Sequence, residues 1–385
     1  METNTILFLI LAFSIAPIFI SMLMEALRKA PPTPEKLYWD NSLDIKYVDL
    51  NDSKLRYIKT GQGPNLVLLH TLRTQLDIFE KVIPELSKSF TVYALDHPGH
   101  GFSSIPDVEY EPELFVNAVE QFMDKLDIND ATLAGISIGG SIPLLIAAKH
   151  NQRVKNVVAI NPYDYGKGRG VERGNFVAWL IFTLARIPVL GETVMRFRNP
   201  MIEQQIFKGG VFEANALTTG FLKQVWQSGI RKGHYRAFIN LVRNAGKWET
   251  ARAVYGNINV PVTLVYGDND WSTSEEREKT NRDVPNSSIS FLSDILESFI
   301  VLIILLIAPD SMQISFGPSQ CNMLTGIPSS SLLLISLMIF ESGFNNRSCM
   351  ETKSNTTRIK LMATVLTKPT IKILFNSFSI SSSEI

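Results

Sequence analysis

The sequence predicts an α/β fold: a mostly parallel central sheet flanked by helices, with an all-helical lid inserted into it. Three observations predict this. From about residue 65 to 160, short apolar runs of strand length alternate with helical patterns, as parallel strands buried on both faces require. The alternation stops after Asn161 and resumes near Val260. The run 131–136 leads straight into Gly135-Ile136-Ser137-Ile138-Gly139, the join of a buried strand to a helix.

The chain opens on an apolar stretch, 6–24, broken only by Ser14, Pro17 and Ser21. At about 1.5 Å per residue, such a helix matches the ~30 Å hydrocarbon core of a bilayer. A secretory signal would begin with Lys or Arg and end at small residues. Here the first five residues carry neither, and the run ends in Met22-Leu23-Met24. An uncleaved transmembrane anchor over 1–25 is therefore expected. Arg28, Lys29 and Lys36 follow it, which puts the body of the protein on the cytoplasmic side. The Pro-rich linker 26–40 contains Ala30-Pro31-Pro32-Thr33-Pro34, a stiff spacer.

The core is expected over 41–165 and 255–295, with the lid at 166–254. Segments 46–50 and 55–60 alternate around Asn51-Asp52-Ser53 as a hairpin. Strands follow at 65–69, 90–95, 131–136, 154–160, 260–266 and 288–292. Helical spacing marks 76–87, 112–126 and 272–282, the last with Ser272 or Thr273 at its N-cap. In the lid, 176–197 and roughly 211–245 read as helices with aromatic faces, including Trp179, Phe182, Phe221, Trp226 and Phe238. Gly166-Lys167-Gly168-Arg169-Gly170 lacks the Lys-Ser/Thr ending of a phosphate loop and reads as a flexible lid hinge. Beyond 295 the composition shifts to Ser, Ile, Leu and Asn, so 296–385 is expected to be an atypical, poorly packed tail.

Net charge is zero, which gives no electrostatic case for a nucleic-acid partner. The two cysteines, Cys321 and Cys349, both lie near the C-terminus, so a disulfide framework in the main domain is excluded. No metal-ligand spacing or dinucleotide fingerprint is present, and no cofactor is expected.

Ser137, between glycines at the G-x-S-x-G spacing, is the candidate for chemistry; the alternative is a glycine-rich loop before an ordinary helix. On a sharp strand-to-helix turn the serine backbone is strained, and a side chain on either neighbouring glycine would clash. The hydroxyl then stands above the sheet edge beside the N–H of Ile138 and the positive end of a helix.

With these residues in view, the chain from about 45 to 292 resembles the α/β-hydrolase superfamily, in its serine-nucleophile branch with a helical lid. His70 ends the third strand, where that family has His-Gly. Asp96-His97-Pro98-Gly99-His100-Gly101-Phe102-Ser103 is similar to the family's turn after strand four. Gly135 to Gly139 looks like its nucleophile elbow, and Gly267-Asp268-Asn269-Asp270 like its acid turn. The resemblance implies Ser137 as nucleophile, Asp270 as the acid, and an oxyanion hole from the N–H groups of Ile138 and Leu72. Thr71 stands where the family has Gly, so the loop carrying Leu72 is expected to be shaped differently. Asp268 and Asp164 are the alternative acids, and any of the three, Asp270 included, could instead be an ordinary turn aspartate. Serine at the elbow, where haloalkane dehalogenases and epoxide hydrolases use Asp, implies hydrolysis of an ester or C–C bond in a small apolar substrate.

The family's base is missing. It should follow the acid by 25 to 30 residues, yet the five histidines are His70, His97, His100, His150 and His234, all before Asp270. His70 and His100 belong to loops beside the site, His150 ends a helix, and His234 lies in the lid and could reach down. The gap coincides with the composition shift, as expected if the C-terminal coding sequence has been replaced. Two functions follow: a membrane-anchored serine hydrolase impaired as written, or a non-catalytic binding protein on the same fold.

Overall fold

The structure, a computed structural model, describes residues 3–211 and 216–292, with side chains from residue 15 to 291. The expected tail, including its poor packing, lies outside the described residues.

A hairpin of β1 (Lys46–Asp49) and β2 (Lys54–Thr60) opens the domain. Then come β3 (Asn65–Leu69), β4 (Thr91–Leu95), β5 (Ala131–Ile136), β6 (Val154–Ile160), β7 (Val262–Gly267) and β8 (Ser287–Leu292). They form an eight-stranded sheet in the order β1-β2-β4-β3-β5-β6-β7-β8. β1 and β2 pair antiparallel, as do β2 and β4; every later pairing is parallel.

Side-chain alternation explains why these strands sit where they do. Val67, Leu69, Leu133, Ala159 and Leu264 point to one face and join one core cluster. Their neighbours Leu66, Leu68, Ala134, Val158 and Val265 point to the other face and join a second. A strand apolar on both sides is stable only under two covering layers. Helices α3 (Pro112–Lys125) and α4 (Ile138–Ala148) cover the first face through Phe115, Phe122 and Ile142. Every residue of α4 is buried, which fits a helix apolar all round. The second face is covered by Leu76, Phe79, Ile83 and Leu86.

The 76–87 segment is not one helix. It is a 3-10 turn, Leu76–Phe79, and a single α turn, α2 (Ile83–Leu86). Pro84 explains the break: inside a continuous helix its ring would meet the carbonyl four residues back. The lid divides more finely than expected for a similar reason. α5 (Phe176–Arg186) and α6 (Leu190–Arg196) are separated at Pro188, and α7 (Pro200–Lys208) is a further helix started by Pro200 under an Asn199 cap. α8 (Thr219–Gly229), α9 (His234–Arg243) and α10 (Gly246–Ala251) complete the insertion, and no strand occurs between β6 and β7 among the described residues. The glycines of 166–170 are needed for close packing: a Cβ on Gly168 would lie 2.3 Å from the backbone of Ala245. α11 (Ser274–Asp283) returns to the core with a capping box between Thr273 and Glu276.

At the N-terminus, α1 (Thr3–Leu27) is a 25-residue helix containing Pro17. Its last turns pack against α6. Among the described residues no helix is long and apolar enough to cross a membrane. Side chains are described for only the second half of α1.

Chain order and sheet order place the functional crevice. From β3 the chain crosses to β4 on one side, and β5 then lies on the other side of β3. In an open α/β sheet, the carboxyl ends of strands at such a reversal leave a crevice. Ser137 follows β5 at that edge, where Gly139 packs onto β3: a Cβ there would lie 2.2 Å from the Leu69 carbonyl oxygen. Gly139→Ala is therefore expected to cost about 3 kcal/mol through overpacking, measured as a lower urea midpoint with an unchanged slope.

Candidate active site

Ser137 adopts φ 57° and ψ −120°, a strained conformation for a non-glycine residue. Its neighbours hold it there. The Ser137 N–H donates to Ile160 O at 2.9 Å, and its carbonyl accepts from the N–H groups of Gly140 and Ser141 at 2.8 and 3.0 Å. The glycine spacing has the steric cause read from the sequence: a Cβ on Gly135 would stand 2.1 Å from Gly139 O.

Ser137 lines a cavity of about 1470 Å³ between the sheet edge and the lid. Leu72, Asn161 and Asp270 share its wall. Phe79, Phe182, Phe221 and Phe238 make much of the remainder apolar. Among the described residues, no group of three or more His, Cys, Asp or Glu could hold a metal ion.

Thr71 shapes the loop that carries Leu72. Its carbonyl accepts from the His70 ring at 2.8 Å, from the Thr74 hydroxyl at 2.9 Å and from the Thr74 N–H at 3.3 Å. A carbonyl and the next N–H point oppositely on one planar peptide. The N–H of Leu72 is thus turned away from His70. The same contacts fix the His70 tautomer: Nδ1 donates to Thr71, and Nε2 accepts from the His97 N–H at 2.9 Å. Burial pushes the His70 pKa down to about 3, so the ring stays neutral.

Of the three aspartates, Asp270 alone lines the cavity. Its Oδ1 accepts from the Asn161 amide at 2.5 Å and the Trp271 N–H at 3.0 Å, and Oδ2 accepts from the Gly267 N–H at 3.3 Å. Burial raises its pKa, opposed by the two backbone donors. Asp268 is exposed. Asp164 is fully buried, accepts from the Thr280 hydroxyl at 3.1 Å, and has its pKa raised to about 7 by burial.

No histidine among the described residues hydrogen-bonds Ser137. His70, His97 and His100 cluster together beside the loop that carries Leu72, with the first two ring centroids 4.4 Å apart. His150 is exposed at the end of α4. His234 is buried at the start of α9 instead of reaching over the site, and burial, then Arg73, push its pKa down.

Two wall residues escape sequence reasoning. Asn161 directly follows β6 and donates to Asp270 on the cavity wall shared with Ser137; its position after a buried strand was the available signal. Arg73 has φ 62°, stacks over Phe238 at 4.9 Å and donates to Glu203 of α7 at 2.9 Å, tying the loop that carries Leu72 to the lid. A left-handed arginine leaves no mark in sequence.

Residues 64–291 match the family described as alpha/beta hydrolase fold. The chain belongs to the α/β-hydrolase family. Among relatives, it is 32% identical over 118 residues to the 2-(acetamidomethylene)succinate hydrolase of Mesorhizobium japonicum, covering 31% of this chain and 42% of that one. It is 41% identical over 99 residues to the 2-hydroxymuconate semialdehyde hydrolase of a Pseudomonas species, covering 26% of this chain and 32% of that one. These matches span less than half of the relatives' length. The crystal structure of haloalkane dehalogenase DbeA from Bradyrhizobium elkani shares the fold, with a TM-score of 0.57 at 18% identity over 65% of this chain and 90% of that one.

Asp164 gives a pH test. An acid whose pKa is higher folded than unfolded costs stability once pH exceeds the unfolded value near 3.8, and the cost grows until pH passes the folded value near 7. The melting temperature of Asp164→Asn, minus that of the parent, should therefore rise between pH 4 and 7 and level off above it.

Proposed function

We propose that the chain is a serine hydrolase by lineage, held at a membrane by its N-terminal helix and impaired as written because its general base is absent. The observation that carries this reading is Ser137 on a strained turn in the wall of a large apolar cavity, with Asp270 on the same wall.

In this reading the Ser137 oxygen attacks the acyl carbon of a small apolar ester-like substrate. The N–H groups of Ile138 and Leu72 take the developing oxyanion, each worth about 3 kcal/mol in the transition state. The alcohol leaves with the serine proton, or a carbon leaving group is protonated in the C–C case. Water then cleaves the acyl-serine, releasing the acid and restoring the hydroxyl. Asp270 would orient and stabilise an imidazolium, and no imidazole bonds to it among the described residues. Loss of one triad member removes roughly 10⁴-fold or more of the rate. The hydrolase relatives support the lineage. The 25-residue helix α1 and the apolar sequence 6–24 support the anchor, with Arg28, Lys29 and Lys36 favouring a cytoplasmic domain.

The absent imidazole favours a second reading, a non-catalytic binding protein that keeps the cavity. One experiment separates the two. A fluorophosphonate probe should label the parent slowly, added imidazole should accelerate labelling at least tenfold, and Ser137→Ala should remove it. Labelling that survives in Ser137→Ala would sink the nucleophile assignment. No labelling at any imidazole concentration would favour the binding protein.

A further inference from the structure

The second half of α1 is amphipathic in the wrong sense for water. Its protein-facing stripe is Ile18, Ser21, Glu25 and Arg28, spaced three or four residues apart. Ser21 is fully buried, and its hydroxyl donates to Ile18 O at 2.7 Å. Glu25 accepts from Arg198 through both guanidinium ends, at 2.8 and 3.1 Å, and from Arg28 at 3.0 Å. Arg28 also donates to Arg196 O at 2.7 Å. The outward face holds Phe19, Leu23 and Leu27, which are 66%, 60% and 72% exposed. A surface helix in water turns its apolar side inward. This one docks by its polar stripe and presents its apolar side to the surroundings.

The lid that α1 grips also carries exposed apolar residues. Phe176 and Trp179 on α5 are exposed and stacked, with centroids 5.6 Å apart. The tip between α5 and α6 presents Val189, a β-branched residue at φ 68°. Met201 on α7 is exposed. Phe197 and Ile202 are exposed and also line the Ser137 cavity. Exposed apolar surface of this extent marks an interaction site. The lid packs on α1 through α6, and the inverted face of α1 selects the occupant, because acyl chains are the medium in which that face is favourable.

We propose that the lid itself, through the α5–α6 tip and the start of α7, is seated in the interfacial layer of a phospholipid bilayer, and that the rim at Phe197 and Ile202 admits ligand from the lipid. This rests on the membrane reading of α1 and goes beyond it: an anchor alone leaves the lid in water. The Glu25–Arg198 pair holds the lid against the anchor at the required depth.

The test uses the full chain with Cys321→Ser and Cys349→Ser, plus one new thiol at a time: Met201→Cys, Val189→Cys or, as control, the exposed Lys125→Cys at the far end of α3. Each is labelled with an environment-sensitive nitrobenzoxadiazole probe and mixed with dioleoylphosphatidylcholine vesicles, with or without doxyl-labelled lipid. The chain should float with the vesicles. Probes at 201 and 189 should shift to the blue and be quenched at least twofold by doxyl lipid, while the probe at 125 changes in neither respect. Flotation with water-like probes at 201 and 189 would overturn the lid proposal and leave the anchor reading intact. Failure to float would remove both. A blue shift that tracks protein concentration without doxyl quenching would identify a second copy as the occupant and overturn the proposal.

Discussion

Everything at the sheet edge depends on how closely α4 approaches β3. Gly139 sits against the Leu69 carbonyl, and Gly135 against Gly139, at distances that exclude even a methyl group. That approach lets the helix begin directly above the strand end, forces Ser137 into its unusual backbone conformation, and leaves its side chain on the cavity wall. The N-terminal edge of α4 brings unpaired N–H groups to the same place. The two glycines therefore set the position of the serine, and the serine contributes little to holding itself.

The surroundings of this turn are rigid and neutral. His70, locked in one tautomer by Thr71 and His97, is a strut for the loop that carries Leu72. Three imidazoles lie within a few ångströms of one another, and burial suppresses the charge on each. Charge there is confined to the buried cluster of Arg56 with Asp77 and Asp96, and it appears again at the lid junction, where Arg73 with Glu203 and Arg198 with Glu25 are paired out of water. Breaking such a pair strands a buried charge, so the junction favours one arrangement of loop, lid and α1.

The strands were the most legible part of the chain. The strands 65–69, 131–136 and 154–160 fall where apolar runs between turn residues put them, because burial on both faces leaves no other composition. Helices were legible except where a proline cut them, at Pro84 and Pro188, or started one, at Pro200. In the site, the resemblance to the family named Ser137, Leu72 and Asp270, and the fold brings these three to the wall of one cavity. Asn161 and Arg73 were not named: one acts on an aspartate that follows the neighbouring strand, 109 residues further along the chain, the other through a side chain 130 residues distant. The inverted face of α1 was hidden as well, since a nearly all-apolar segment has no sequence signal for which side meets the protein.

The pairing of Glu25 with Arg198 spans 173 residues, which imposes an order on biosynthesis. At roughly 5–20 residues per second, the ribosome needs about ten to thirty seconds to deliver the arginine after the glutamate. During that interval the carboxylate has only Arg28, one turn away, as a local placeholder. The contact that ties this helix to the lid therefore closes only after the lid has emerged. Assembly thus runs from the outside in, with the first segment made waiting for one that is half a chain younger.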